Sequence, residues 1–429
     1  MDIALIVALL IFVSIFFLNI PIGLGMISAS IAYFWINGLD IGIVANKMLD
    51  TFFSSYVLIA VPLFIFTAQI MNSGEVTEKI FKFVNALVGK RRGSMGHVNI
   101  VASVIFSGMT GSAVADASGL GLMEIEAMKK DGYDAEFSCA LTAASATVGP
   151  IFPPSIPLVI YAMLSGTSVG ALFLGGVIPG LMIGLFLMGY VSWISKKRNY
   201  PKGAVFTRKE FMAYTLKALP ALITPIILLG GIYTGVVTPT EAGAVAALYS
   251  IIIAIFAYKV MTTEKFVKTI LDTVKATGMV GIMIGAASGI SYIVTVENIP
   301  DQLAHLMLGI TDNKYIFLLI INVAFLILGM ILDTSVLQLV FIPIILPLVS
   351  QLGIDLVQFG VIFTLNTMIG LSTPPFGMLL FIVSGISDTN LKGVIKEAIP
   401  MVVVMIGVLV LITLWPDLVL YLPNKLMGN

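Results

Sequence analysis

The chain has 429 residues, 59% of them hydrophobic and 11% charged, with 23 basic and 23 acidic side chains. Soluble domains carry about 25% charged residues, so this chain cannot cover itself in water. Its solvent is a lipid bilayer, which excludes a cytosolic enzyme, a nucleic-acid binder and a disordered scaffold. The single Cys139 excludes a disulfide framework, and two histidines leave little for a zinc site.

The first 20 residues have neither a basic leader nor a small-residue cleavage site, which predicts a retained first span over 2–18. About 20 apolar residues cross a bilayer. By that length the further spans are 22–37, 54–72, 136–163, 171–194, 217–236, 239–258, 276–296, 356–384 and 396–416. Two more apolar stretches, 95–128 and 315–350, are interrupted mid-way by glycines and polar residues. Each is too long for one span and too broken for two, which predicts a re-entrant helical hairpin. The polar stretch 196–217 is expected to be a cytoplasmic linker with an amphipathic helix around 207–216.

Lysine and arginine bias sets the sides. Lys90, Arg91 and Arg92 precede the first hairpin and Lys129 and Lys130 follow it, so both of its ends face the cytoplasm. Lys196, Lys197, Arg198 and Lys259 mark the cytoplasm again, whereas Glu297 and Asp301 follow an outward crossing. The second hairpin then enters from outside, between 312–314 and 351–355, and both termini lie outside.

Positions 221 apart are related. Gly108-Met109 pairs with Gly329-Met330, Gly132 and Asp134 with Gly353 and Asp355, and Gly149 with Gly370. Pro153-Pro154 pairs with Pro374-Pro375 and Ile178-Pro179 with Ile399-Pro400, without a gap. With one hairpin opening inward and its copy outward, the repeats are inverted, the build of secondary transporters. The expected fold is an all-α polytopic membrane protein of two inverted repeats, 1–195 and 218–429, joined by the linker.

Each repeat carries two breaks, at its hairpin tip and in its broken span. They are Ser107 to Ser112 and Ser145 to Pro150 in the first half, and Gly329 to Ser335 and Asn366 to Thr373 in the second. Proline and glycine free backbone carbonyls, which in hydrocarbon costs several kcal/mol per group unless another partner is found. A sodium ion ringed by carbonyls and hydroxyls is such a partner; neighbouring helices satisfying a simple proline kink are the other. The glycines at the tips, Gly108 and Gly329, are expected to supply backbone freedom. Sodium rather than proton coupling is expected, because no buried His or Lys relay is evident.

Other features read more plainly. Thr238-Pro239-Thr240-Glu241 is a capping box. Asp116 lies at membrane depth, where an acid is a functional candidate or a hydrogen-bonded structural partner. The Gly-Tyr-Asp and Gly-Ile-Asp runs at 132–134 and 353–355 are expected to turn the chain and cap the next helix. The methionine runs are lipid-facing or core filler, and His305 is interfacial. All four arginines, Arg91, Arg92, Arg198 and Arg208, fall in cytoplasmic loops. An anionic cargo would have to be met by half-helix N-termini, hydroxyls or sodium.

The runs Phe106 to Asp116, Pro150 to Ser155, Ile227 to Gly235 with Thr238 to Ala242, and Ser372 to Pro375 together resemble the large membrane subunit of tripartite ATP-independent periplasmic (TRAP) transporters. The similarity runs essentially end to end and matches the unfused form, without four extra N-terminal spans. The resemblance implies an elevator-type, sodium-coupled importer of organic acids in the bacterial inner membrane. Its partners would be a small four-span membrane subunit and a periplasmic substrate-binding protein. One implied sodium site uses Ser103, Ser107, Gly108, Val148 and Pro150; the other uses Gly329, Asn366, Thr367, Gly370 and Thr373. Thr110, Ser112, Ser155, Asp333, Thr334 and Ser372 are the implied cargo contacts. Sodium is the only cofactor implied, and the cargo is of the sialic acid or C4-dicarboxylate class.

Two rivals remain. One is a stand-alone ion-coupled carboxylate transporter of the same architecture. The other is an intramembrane serine protease built on Ser288 and His305, which needs a base within hydrogen-bond reach of the nucleophile.

Overall fold

The computed structural model describes residues 3–18, 20–72 and 74–428; Asp2, with which the first expected span begins, lies outside the described residues. Helices α1 (Ile3–Leu18) and α2 (Ile22–Ile36) form an opening pair, followed by α3 (Gly42–Ser54), α4 (Ala60–Met71) and α5 (Gly74–Val88). The first hairpin comprises α6 (Ser94–Thr110) against α7 (Ala113–Gly119) and α8 (Gly121–Lys130). The first broken span is α9 (Ala135–Ala146) and α10 (Ile156–Ser165), and α11 (Val169–Lys197) closes the half. The second half runs through α12 (Arg208–Tyr233), α13 (Pro239–Ile252), α14 (Thr263–Val296) and α15 (Ile299–Ile310). The second hairpin is α16 (Lys314–Gly329) and α17 (Thr334–Gln351), its broken span α18 (Leu356–Leu371) and α19 (Met378–Ser387). Helices α20 (Leu391–Leu414) and α21 (Asp417–Met427) end the chain. Among the described residues the only strand-like pairing is one isolated bridge between Arg92 and Lys202.

Among the described residues six helices are long and apolar enough to cross a membrane, and a seventh crossing exists if the bent pair α3–α4 is one span. Ten spans are expected, two of them broken; the breaks do divide 136–163 and 356–384 into half-helices, and α1 and α2 are shorter than a full crossing. The expected span 54–72 is the later part of a 75° bend. Ser55 leaves the helical region there (φ −113°, ψ 83°), and a 3-10 turn over Tyr56–Ile59 leads into α4. The amphipathic helix expected around 207–216 is not separate: it is the first part of α12, which continues into the span. A capping box between Thr207 and Glu210 starts it, and the helix runs on through Pro220 and Pro225 to Tyr233.

The capping box at α13 is present as expected, with Thr238 accepting from the Glu241 amide and Glu241 reaching back to the Thr238 amide at 2.7 Å. Losing such a cap costs about 1 kcal/mol. Thr238→Ala should therefore lower the thermal unfolding temperature in micelles measurably while uptake is retained.

The offset of 221 extends to the secondary structure. Shifted by it, α9 falls on 356–367 and α10 on 377–386, where α18 and α19 lie. The span α3–α4 (42–71) falls on 263–292, inside α14, so a bent pair in one half is a straight helix in the other. Both Pro153-Pro154 and Pro374-Pro375 bonds are cis. The halves interlock rather than stack. Helix α17 packs on α10 while α7 and α8 pack on α19, and α9 packs on α20 while α18 packs on α11. Each hairpin is thus seated on the second half-helix of the other repeat. Tyr161 of α10 against Phe359 of α18 (ring centroids 6.5 Å apart) joins the two halves, and Phe325 against Phe363 (4.5 Å) packs α16 on α18 beside it.

The two Gly-x-Asp turns behave differently. Gly132 and Gly353 both have positive φ, and Asp355 caps α18 through the amides of Val357 (2.8 Å) and Gln358 (3.1 Å). Asp134 makes no such cap. Its carboxylate instead accepts from Tyr200 Oη at 2.6 Å and Arg198 at 3.0 Å, and Arg198 also grips Glu397 at 2.8 and 2.9 Å. A guanidinium and a phenol outcompete the backbone amides for one carboxylate. Burial, and then the bond to Asp134, hold the Tyr200 phenol above its usual range.

Candidate transport site

At the first hairpin tip, α6 ends at Thr110 and the chain reverses through Gly111, whose φ of +61° belongs to the left-handed region. A Cβ there would also lie 2.5 Å from the Pro154 carbonyl oxygen, so only glycine fits. Ser112 then caps α7 by accepting from the Ala115 amide. The tip thereby sits directly on the proline pair of the first broken span.

Gly108 has a different role from the one expected of it. It is helical, and a Cβ at that position would meet Pro225 of α12 at 3.1 Å. Its smallness serves close approach to α12, not freedom at the tip. Gly329 is also helical. Its missing side chain lets α16 rest on α18, where a Cβ would lie 3.1 Å from Thr367 Cα and 3.4 Å from Gly370 Cα. Asp333 caps α17 through the Ser335 amide at 2.8 Å, and Thr334 donates to Thr367 Oγ1 at 3.0 Å. The second tip is therefore fastened to the second break.

All four breaks meet at one cavity of about 370 Å³. The first tip contributes Thr110, Gly111 and Ser112, and the second Asp333, Thr334 and Ser335. Pro150 comes from one broken span and Met368 and Leu371 from the other, while α4 and α14 supply the far wall with Gln69, Met279 and Met283. The first residues of α10, Ile156 and Pro157, also reach it. The N-termini of α10 and α17 thus turn their positive dipole ends towards the cavity, with amides already held by the caps of Ser155 and Asp333. No arginine or lysine lines it, so a carboxylate here would meet dipoles and hydroxyls.

Of the expected cargo contacts, Thr110, Ser112, Asp333 and Thr334 line the cavity. Ser155 and Ser372 face their own breaks: Ser155 donates to the Pro150 carbonyl and caps α10, and Ser372 donates to Ile369 O at 3.0 Å. Among the expected sodium residues, Pro150 alone borders the cavity. Ser103 donates to Ser145 Oγ (3.1 Å), Ser107 to Val104 O (2.7 Å) and Thr373 to Ile369 O (2.6 Å). The Val148 carbonyl accepts from the amides of Ile151 and Phe152 at 3.0 and 2.9 Å.

Equivalent polar links join each hairpin to its broken span. Ser145 donates to Asn99 Oδ1 at 2.7 Å, tying α9 to α6. Asn366, 221 positions later, donates to Asn322 O and Oδ1 at 2.8 and 2.9 Å, tying α18 to α16. Asn99 also donates to Glu124 (2.8 Å) and Thr142 (2.7 Å). Asp116 is both candidates at once: Thr110 donates to its Oδ1 at 2.6 Å, while its Oδ2 is buried without a partner. Asn366 Oδ1 and Glu124 Oε1 are likewise buried and unpartnered. Buried oxygens are nearly always satisfied, so unpaired acceptors beside broken helices suit a cation.

Sequence reasoning overlooked Asn99, Glu124, Asn322 and the cavity residue Gln69. A signal existed, since a polar residue at membrane depth is a functional candidate by default. The rival protease gains no geometry: Ser288 donates to Gly285 O within α14, and His305 is exposed on α15.

A profile of the family described as "Tripartite ATP-independent periplasmic transporter, DctM component" matches residues 8–418. The chain belongs to this family. The sialic acid TRAP transporter large permease protein SiaM of Vibrio cholerae is 41% identical, over 96% of each chain. The sialic acid TRAP transporter permease protein SiaT of Haemophilus influenzae is 39% identical over 98% of this chain and 68% of its own length. The C4-dicarboxylate TRAP transporter large permease protein DctM of Pseudomonas aeruginosa is 35% identical over 89% of each. Among solved structures, the Alcanivorax borkumensis YdaH transporter superposes with a TM-score of 0.60 over 88% of each chain, at 13% identity, a likeness of fold. The protein is thus a TRAP large permease, a transporter rather than an enzyme, and a multi-pass protein of the inner membrane.

Proposed function

We propose that this TRAP large permease is a sodium-coupled importer of organic acid anions, with sialic acid the favoured cargo over C4-dicarboxylates. The observation that carries the reading is the single cavity walled by all four breaks, with unpaired buried oxygens of Asp116 and Asn366 beside those breaks. Discontinuous helices of this kind hold substrate and coupling ions near the midplane in secondary transporters. The identity to SiaM exceeds that to DctM, which favours the sugar acid. Interlocked hairpins and half-helices form one unit against α4 and α14, as an elevator of inverted repeats requires. Without an arginine fork the cavity holds a carboxylate weakly. A periplasmic binding protein would capture dilute cargo and deliver it, and a small four-span subunit would complete the membrane part.

The test is uptake into proteoliposomes containing this chain and its small subunit. An inward sodium gradient plus binding protein should drive sialic acid accumulation. A proton gradient without sodium should not. Equal uptake at micromolar cargo without the binding protein would favour the stand-alone transporter.

A further inference from the structure

A second cavity, of about 240 Å³, is lined by residues of three helices that also line the transport cavity. Helices α10, α14 and α17 line both. Ile156, Met283 and Thr334 border the first, and Met163, Ser288 and Leu339 the second. From 156 to 163 a helix rises about 10 Å. Ile160 lies between the two sets on α10 and is buried in one apolar cluster with Leu58, Ile284 and Leu339. Ile284 and Leu339 of that cluster wall the second cavity. Helix α14 carries Lys265, Lys268 and Lys275 in its first half and ends at Glu297. The positive-inside rule therefore places Ser288, and the second cavity, towards the outer face.

Its chemistry differs from that of the first. The hydroxyls of Thr51, Ser54, Ser55, Ser288 and Ser291 line it, and no charged side chain does. The 75° bend at Ser55 turns α3 away from α4 and exposes these groups. Thr51 and Ser288 donate to carbonyls of their own helices, at 2.9 and 2.7 Å, and keep acceptor lone pairs for a ligand.

We propose that this cavity is an outer waiting site for polyhydroxylated acids of the sugar acid class. Neutral hydroxyls hold the cargo's own hydroxyls until the apolar residues Ile160, Ile284 and Leu339 part. A short dicarboxylate, with few hydroxyls to match, is held there less well. The proposal rests on the import reading above.

The test uses Ser288→Cys in the complex with the small subunit, in vesicles of known orientation. Native Cys139 is buried, so the unsubstituted protein gives the background. A membrane-impermeant thiol reagent added outside should label the new thiol, and sialic acid should slow labelling at least fivefold while succinate leaves it unchanged. No external labelling, labelling only by a lipid-soluble reagent, or equal slowing by both acids would overturn the proposal. Ser288→Leu, which fills the cavity, should raise the KM for sialic acid about tenfold with kcat little changed; an unchanged KM overturns it as well. Sodium-driven uptake by the unsubstituted complex is measured in parallel. Uptake without protection sinks the waiting site alone, and absent uptake sinks the import reading.

Discussion

Gly370→Val should abolish uptake while the protein still inserts and purifies as a single species. A Cβ at Gly370 would lie 2.6 Å from the Gly329 carbonyl carbon, 2.7 Å from its Cα and 2.9 Å from its oxygen. These are backbone atoms of α16, so no rotamer change relieves the clash. Overpacking of this kind costs about 3 kcal/mol, roughly a hundredfold in the population of the seated tip. The second hairpin would lift from α18, break the bond from Thr334 to Thr367, and move Asp333 and Thr334 out of the cavity wall. Gly385→Ala is the control, because nothing lies within 4 Å of a Cβ there. Sodium-driven uptake beside size-exclusion behaviour decides the matter. Normal uptake by Gly370→Val would show that the seat is dispensable.

The second large effect is expected at Asn366. Its amide group ties α18 to Asn322, while its Oδ1 is buried without a protein partner, at a break of the kind that suits a sodium ion. Asn366→Ala removes that oxygen. Hydrogen bonds and contacts to charged groups contribute about 1.5–3 kcal/mol, so the sodium concentration for half-maximal uptake should rise at least tenfold. The rate at saturating sodium should change less. Ser145→Ala, 221 positions earlier, should show a smaller shift, because that hydroxyl is already engaged with Asn99. Sodium activation curves are the measurement. Superimposable curves for both variants and the native protein would leave these residues as structural ties between hairpin and span.

Much of this protein is written locally. Runs of apolar residues set the bilayer as solvent, and Gly149-Pro150 and Pro374-Pro375 stop helices wherever the rest of the chain lies. Capping boxes at Thr207 and Thr238 and the turn glycines Gly132 and Gly353 act within a few residues of themselves. For that reason the breaks, the hairpins and the register of 221 could be read from the sequence, as could the resemblance to TRAP large permeases. What only the tertiary structure decided depends on residues far apart in the chain. Gly108 reads as a tip glycine until Pro225 is found against it, and Asp134 reads as a cap until Arg198 and Tyr200 take its carboxylate. Gln69, Met279 and Met283 became cavity residues only because α4 and α14 wall the tips. The seating of each hairpin on the other repeat's half-helix leaves no local mark, since apolar faces that meet across 200 residues look the same as faces that meet lipid.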